Sequence, residues 1–152
     1  MIFGIGCDIV ECKRFESWIH DIKKCMRFFN QEELFQEDWT DLKKIQHLAS
    51  RYACKEAFVK ALGTGFSDFK LKDIFITPDS LEKPLLNVSN KAKKLLDSKI
   101  SNYNIHVTLS HENSCALAFV VIETVVPSLI ILSPDCDLYI LIKGPTVPTF
   151  FI

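Results

Sequence analysis

The sequence predicts an α+β fold, and three observations predict it. The first ten residues and the segment from about 104 to 126 are strand-like, with apolar runs and alternation. Between them lie helical patterns, the longest of which ends at glycines. Strand, helices, strands, helix, strands is an order that packs helices against an antiparallel sheet rather than building a repeated parallel unit. The 152 residues are 48% hydrophobic and 24% charged, enough for one packed core and too balanced for disorder.

In "IFGIGCDIV", Ile2, Gly4, Gly6, Asp8 and Val10 share one face of a strand, and Phe3, Ile5, Cys7 and Ile9 share the other. The apolar face reads as the core face; on the opposite face two glycines clear space just before an aspartate. "ECKRFESWIHDIKKCMRFF" carries Phe15, Ile19, Ile22, Met26 and Phe29 at helical spacing, with Lys13, Arg14, Lys23, Lys24 and Arg27 forming a basic outer surface. "NQEEL" starts a helix, with Asn30 as N-cap and Glu33 three residues on. A longer helix runs from about Leu42 to Leu62 and stops at Gly63 and Gly65. "DIFITPD" and "PLLNV" are strands flanking the turn "DSLEKP", and "SNKAKKLLDSKI" is a short helix capped by Ser89. "NIHVTLS" and "CALAFVVIETVV" are strands joined by "HENS". Residues 125–152 differ from the rest: Pro-rich and apolar, they read as an extra hairpin or edge strand over an apolar surface, or as an oligomer contact.

A net charge of −1 and a pI of about 6.4 argue against bulk nucleic-acid binding. No run reaches the roughly 18 to 20 apolar residues of a membrane span. The start has no basic leader. Without zinc-type spacing, Cys7, Cys12, Cys25, Cys54, Cys115 and Cys136 read as reduced thiols, several packing as small hydrophobes in a cytoplasmic protein.

The stretch "RYACKEAFVKALGTG" at 51–65 carries the chemistry. Glu56 shares a helix face with Ala49, Ala53, Ala57 and Lys60, so small residues allow a ligand close approach, and Glu56 and Lys60 can form an i,i+4 pair. Asp8 adds a second carboxylate from a separate element. Two carboxylates without His or Cys at ligand spacing suit Mg²⁺, which completes its shell with waters and phosphate oxygens. "LGTG" offers backbone N–H groups to an anion, and Lys60 a point charge. His111, at a strand end, could donate to a phosphate or act as a base; His20, His47 and His106 read as structural.

The stretches "GIGCDIVE", "FNQEEL", "ASRYACKEAFVKALGTG" and "HVTLSHENSCALAFVVIE", in this order, resemble the holo-(acyl carrier protein) synthase family, the short trimeric branch of the phosphopantetheinyl transferases. The likeness spans residues 1–124 and leaves 125–152 as an extension without counterpart. It implies a phosphopantetheinyl-transferase-like fold, an antiparallel sheet with a long central helix. It implies an enzyme that moves the phosphopantetheine of coenzyme A onto a serine of an apo acyl carrier protein, releasing adenosine 3′,5′-bisphosphate. By the same resemblance Asp8 and Glu56 hold Mg²⁺ and Lys60 faces the diphosphate. Gly63, Thr64 and Gly65 line the coenzyme A site, His111 reaches the 3′-phosphate from a neighbouring subunit, and Arg14 docks the carrier protein. A homotrimer with active sites between subunits follows from the same source. One departure is the turn at 82–84, where "EKP" stands in place of the family's Gly-Lys-Pro. The rival readings are a non-catalytic coenzyme A or carrier-protein binding module, and an assembly protein driven by the apolar extension.

Overall fold

The computed structural model describes residues 1–65, 69–125, 128–131 and 140–143. In chain order the elements are β1 (Ile2–Glu11), α1 (Ile22–Phe28), α2 (Asp41–Leu62), β2 (Ile74–Pro78), β3 (Pro84–Val88), α3 (Asn90–Lys99), β4 (Tyr103–His111), β5 (Cys115–Thr124), β6 (Ser128–Ile131) and β7 (Ile140–Lys143). Single 3₁₀ turns at Cys12–Phe15, Gln31–Glu33 and Leu71–Asp73 punctuate the connections. The architecture is the expected α+β one: a three-stranded antiparallel sheet in the order β1-β5-β4, an antiparallel β2–β3 hairpin, and a long helix laid on the sheet.

That helix, α2, sits where the sequence puts it, capped by the Thr40 hydroxyl, which accepts from Lys43 N at 3.3 Å, and ended by Gly63 in the left-handed region at φ 71°. It packs on β1 and β5 at backbone distance. A Cβ on Gly4 would lie 1.9 Å from the Ala61 carbonyl oxygen, and one on Gly6 would lie 1.9 Å from that of Ala57. The two glycines and the alanines at 53, 57 and 61 therefore answer each other across the interface, and no ligand enters there. This corrects the expectation that the glycines cleared space, and the alanines gave access, for a ligand.

It also corrects the assignment of the core face of β1. The buried side is the glycine side, through Gly6 and Val10, continued by Ala116, Ala118, Val120 and Ile122 of β5. The apolar side is turned outward: Ile5 is 53% exposed and Ile9 63%, beside Leu117 and Phe119 on β5. Alternation identifies two faces but not which one takes the helix; close packing of helix on strand selected the small residues. Cross-strand register puts Ile5 opposite Val121, Cys7 opposite Phe119 and Ile9 opposite Leu117, so the outward apolar residues form one continuous patch.

The segment after β1 is not the single amphipathic helix its periodicity suggests. A 3₁₀ turn and a run of turns carry it to α1, which has only seven residues. Phe15 and Phe29 are buried as expected, but Met26 is half exposed and Cys25 takes the inward position instead. A cluster of aromatic rings, Phe15, Trp18, Phe28, Phe29 and Tyr52, fixes this irregular path in place of continuous helical packing.

"NQEEL" forms its capping box: Asn30 Oδ1 accepts from Glu32 N at 3.1 Å and Glu33 Oε1 from Asn30 N at 2.8 Å. The element it caps is one 3₁₀ turn rather than a helix, because Glu33 is drawn inward to a fully buried ion pair with Lys55. Lys55 also donates to the carbonyl oxygens of Leu71 and Ile74, and Glu33 Oε2 accepts from Ile76 N. The pair thus ties α2 to the start of β2. Ser89 occupies the cap position of α3 but makes no side-chain cap; its hydroxyl donates to the Asp73 carbonyl oxygen at 3.3 Å.

Cys12, Cys25 and Cys54 are buried, and burial pushes the Cys25 thiol up to about 11 and the Cys54 thiol up to about 12. Cys136 lies outside the described residues. In the C-terminal extension β6 and β7 form the anticipated hairpin, Ser128 opposite Lys143. Residues 132–139 between them lie outside the described residues.

Candidate functional site

Asp8, Glu56 and Lys60 are brought together at the edge of the sheet. Asp8 projects from the helix-facing side of β1 two residues past Gly6, while Glu56 and Lys60 are one turn apart on α2. Lys60 Nζ donates to Asp8 Oδ1 at 2.8 Å and to the Cys7 carbonyl oxygen at 3.0 Å. The lysine's ion pair is therefore with the strand aspartate and not with Glu56, because the close helix–strand approach puts Asp8 within its reach. Its side chain remains 54% exposed, so its ammonium is open to a further anion.

Burial holds the Glu56 carboxyl above its usual range, and the neighbouring Asp8 charge pushes it the same way; Tyr52, Lys60 and Arg14 oppose the rise. Two carboxylates on facing elements, one of them held above its range partly by the other's charge, are a natural seat for a cation. Among the described residues no group of three or more His, Cys, Asp or Glu side chains converges on one point. A donor set of two carboxylates fits Mg²⁺, which keeps waters and takes phosphate oxygens for its remaining positions.

At the C-terminal end of α2, Gly63 and Gly65 both adopt positive φ, 71° and 65°, and a Cβ on either would meet nothing within 4 Å among the described residues. The Gly63–Thr64–Gly65 turn is thus a glycine-dependent bend close in sequence to Lys60. Arg14 is exposed, at the start of the basic segment, its guanidinium carbon 5.3 Å from the centre of the Tyr52 ring.

His111 is not part of this cluster within one chain. Register pairs Asp8 with Ala118 and Ala118 with Leu109, so His111 stands two residues farther along the strand at the opposite edge of the sheet. Two strand spacings make that about 10 Å or more. His111 instead lines a cleft of about 540 Å³ with Trp39, His47, Arg51, Pro84 and Glu33 among its walls.

Arg51 went unremarked in the sequence, although it opens the quoted stretch. Its Nη1 donates to Ser50 Oγ at 3.2 Å, and among the described residues its buried Nε has no partner. A buried guanidinium nitrogen left unpaired is costly, and an anion in the cleft would satisfy it. The signal available was a full positive charge inside an alanine-rich, core-facing helix. Tyr52 was missed as well; its hydroxyl borders Glu56 and Arg14.

Comparison with known proteins places the chain in a family. Residues 4–120 match the model of the 4′-phosphopantetheinyl transferase superfamily. The holo-(acyl-carrier-protein) synthase of Treponema denticola is 44% identical over 126 residues, covering 81% of this chain and 99% of that protein. That of Treponema pallidum is 42% identical over 123 residues, 81% of this chain and 97% of the relative. Among solved structures, the Bacillus anthracis synthase in complex with coenzyme A superposes with a TM-score of 0.67 at 31% identity, over 82% of this chain and 99% of that one. The Neisseria meningitidis synthase gives 0.67 at 34% identity, over 82% and 100%. The helix α2 lies wholly within the matched residues, as do Asp8 on β1 and Glu56 on α2, and the chain belongs to the 4′-phosphopantetheinyl transferase superfamily.

Proposed function

We propose that this chain is a holo-(acyl carrier protein) synthase that transfers phosphopantetheine from coenzyme A to a serine of an apo acyl carrier protein, with Mg²⁺ as cofactor and adenosine 3′,5′-bisphosphate as the released product. The observation that carries this reading is the meeting of Asp8 with Glu56 and Lys60 beside the open Gly63–Gly65 turn.

When bound, Mg²⁺ supplies charge neutralisation to the diphosphate. Asp8 and Glu56 are the residues that would hold it. Lys60 lies at the same spot with an ammonium free to shift from Asp8 toward a phosphate oxygen. The turn at 63–65 offers backbone N–H groups to the same anion. The serine oxygen attacks the β-phosphorus, forming one P–O bond while the bond to the bridging oxygen breaks and the bisphosphate leaves. The serine proton passes to Glu56 or to a water in the site. Positioning and charge neutralisation dominate phosphoryl transfer, and these are what the cluster provides.

The cleft at the far edge of the sheet is suited to the nucleotide's 3′-phosphate, with His111 and Arg51 as donors, the arginine through an Nε that has no partner among the described residues. Since it is separated from Asp8 and Glu56 within one chain, a complete site requires a cleft from one subunit beside the acid pair of another. The outward apolar patch of Ile5, Ile9, Leu117 and Phe119 gives the chain a reason to assemble, and a homotrimer with sites between subunits accounts for both features. Residues 1–124 form the catalytic unit and 125–152 an added extension. Arg14 and the lysines and arginine from 13 to 27 face an acidic carrier protein. Among the described residues no helix is long and apolar enough to cross a membrane, and the enzyme acts in the cytoplasm.

The test is transfer to an apo carrier protein, followed as the gain of one phosphopantetheine mass. Asp8→Ala and Glu56→Gln each lower the rate by at least about 100-fold, the scale of losing one transition-state electrostatic contact, and a chelator abolishes transfer until Mg²⁺ is restored. A wild-type chain that binds coenzyme A yet leaves the carrier mass unchanged is a binding module instead.

A further inference from the structure

We propose that Tyr52 is a positioning residue for Glu56, linking that carboxylate to Arg14 on the basic surface. The inference rests on the transferase reading above and deepens it.

Tyr52 stands one turn before Glu56 on α2, so the two side chains share a face of the helix. Its ring is held from two sides. The Phe15 ring lies 5.5 Å away, centroid to centroid, at 57°, and Phe15 is itself locked in the core at 1% exposure. The Arg14 guanidinium carbon sits 5.3 Å from the Tyr52 ring centre. The ring is thus held at its face and edge, and its hydroxyl interacts with both Glu56 and Arg14. The donor and acceptor inventory gives the chain one direction: the guanidinium can only donate, the carboxylate can only accept, and the phenol can do each once. Arg14 N–H to Tyr52 oxygen, and Tyr52 O–H to the Glu56 carboxylate, is the arrangement that satisfies all three.

Glu56 needs such a donor. It is half-buried beside a second carboxylate whose own ion pair is with Lys60, and among the described residues no lysine forms an ion pair with Glu56. A phenol held by its ring fixes the carboxylate's rotamer without adding a charge that would compete with a cation. Because its other partner is the docking residue Arg14, a carrier protein that draws the guanidinium to itself alters the contact made at Glu56.

The experiment uses the full chain and its Tyr52→Phe, Arg14→Ala and combined variants, with Mn²⁺ as a spectroscopic stand-in measured by electron paramagnetic resonance, alongside transfer kinetics. Phe keeps the ring and its contacts and removes only the hydroxyl. Tyr52→Phe weakens Mn²⁺ binding and lowers kcat, each by about threefold to tenfold, the loss of one hydrogen bond to a charged group. It leaves the KM for coenzyme A and the melting temperature at their wild-type values. Arg14→Ala weakens Mn²⁺ binding when the hydroxyl is present and has no effect on it in the Tyr52→Phe background, while raising the carrier KM in both. A Tyr52→Phe protein that binds Mn²⁺ and turns over as the wild type does overturns the inference, as does a loss matched by a fall in melting temperature. A wild-type chain that neither binds Mn²⁺ nor transfers overturns the metal reading and this inference with it.

Discussion

His47 shows how one residue records its surroundings. It points inward from α2 and donates through Nε2 to the Glu33 carbonyl oxygen at 2.8 Å, with the Trp39 ring 5.0 Å away. Burial, and then the positive charge of Arg51, hold its pKa down to about 4. The unfolded chain binds a proton near 6.5, so between about 6.5 and 4 the unfolded state holds more protons than the native one and stability falls as pH falls. The loss integrates to about 3 kcal/mol at most. His47→Gln keeps an N–H donor and removes the titration. The difference in unfolding free energy between wild type and this variant should therefore shrink as pH is lowered across that window, and a difference independent of pH there would reject the buried neutral imidazole. At the same scale, Asp8, Glu56 and Lys60 were legible in the sequence because charges beside glycines and alanines are conspicuous. Lys60's true partner was not, since an i,i+4 neighbour is visible along a chain and a contact across elements is not. Arg51 and Tyr52 were missed for the related reason that their roles come from residues far away in sequence.

Among the elements, those governed by local chemistry were readable and those governed by tertiary competition were not. The terminal glycines and the helical pattern before them place α2 to within a residue or two, from about Leu42 as read to Asp41 as found. The β2–β3 and β4–β5 hairpins follow from their alternation and turns. The segment from 12 to 29 has helical spacing, yet seven residues of it are α-helix, because burying Phe15 and Phe29 in one aromatic cluster outweighs continuing the backbone ladder. The β2–β3 turn retains a local conflict that can be measured. Asp79 Oδ1 accepts from Leu81 N at 2.8 Å and Lys83 N at 2.9 Å, which closes the turn and holds Glu82 at φ 61°. A side chain in that left-handed region costs about 1 kcal/mol relative to glycine. Glu82→Gly, which restores the glycine of the family's usual turn, should raise the unfolding free energy by about that amount less the extra entropy glycine gives the unfolded chain. Urea denaturation reads the sign, and a destabilised variant would mean that the Glu82 side chain, on the wall of the His111 cleft, makes a compensating contact.

For the whole molecule, the outward apolar face is the feature that a single chain leaves unexplained. Ile5 and Ile9 on β1 and Leu117 and Phe119 on β5 are all more than a third exposed, and they adjoin one another in register. The sequence flagged these residues as apolar and assigned those of β1 to the core, which was right about their chemistry and wrong about what covers them. Covering a large aliphatic side chain contributes about 1.5 to 3 kcal/mol, so four in one patch favour a cover strongly. Two covers are available: other copies of the chain, or the extension beyond residue 125. Substituting Phe119→Glu places a charge in the middle of the patch without touching Asp8, Glu56 or the helix interface. If copies of the chain cover it, the variant sediments as a folded monomer and loses transfer, because in the proposed site the cleft of His111 and Arg51 is then parted from the acid pair of the neighbouring copy. Removing residues 126–152 then leaves both assembly and activity intact. If the extension is the cover, truncation exposes the patch and promotes aggregation, while Phe119→Glu displaces the hairpin and leaves the number of subunits unchanged. Sedimentation of the two variants beside the wild type separates these outcomes. A monomeric, fully active wild-type chain would remove the case for sites between subunits and oblige one chain to bring His111 and Asp8 to the same coenzyme A.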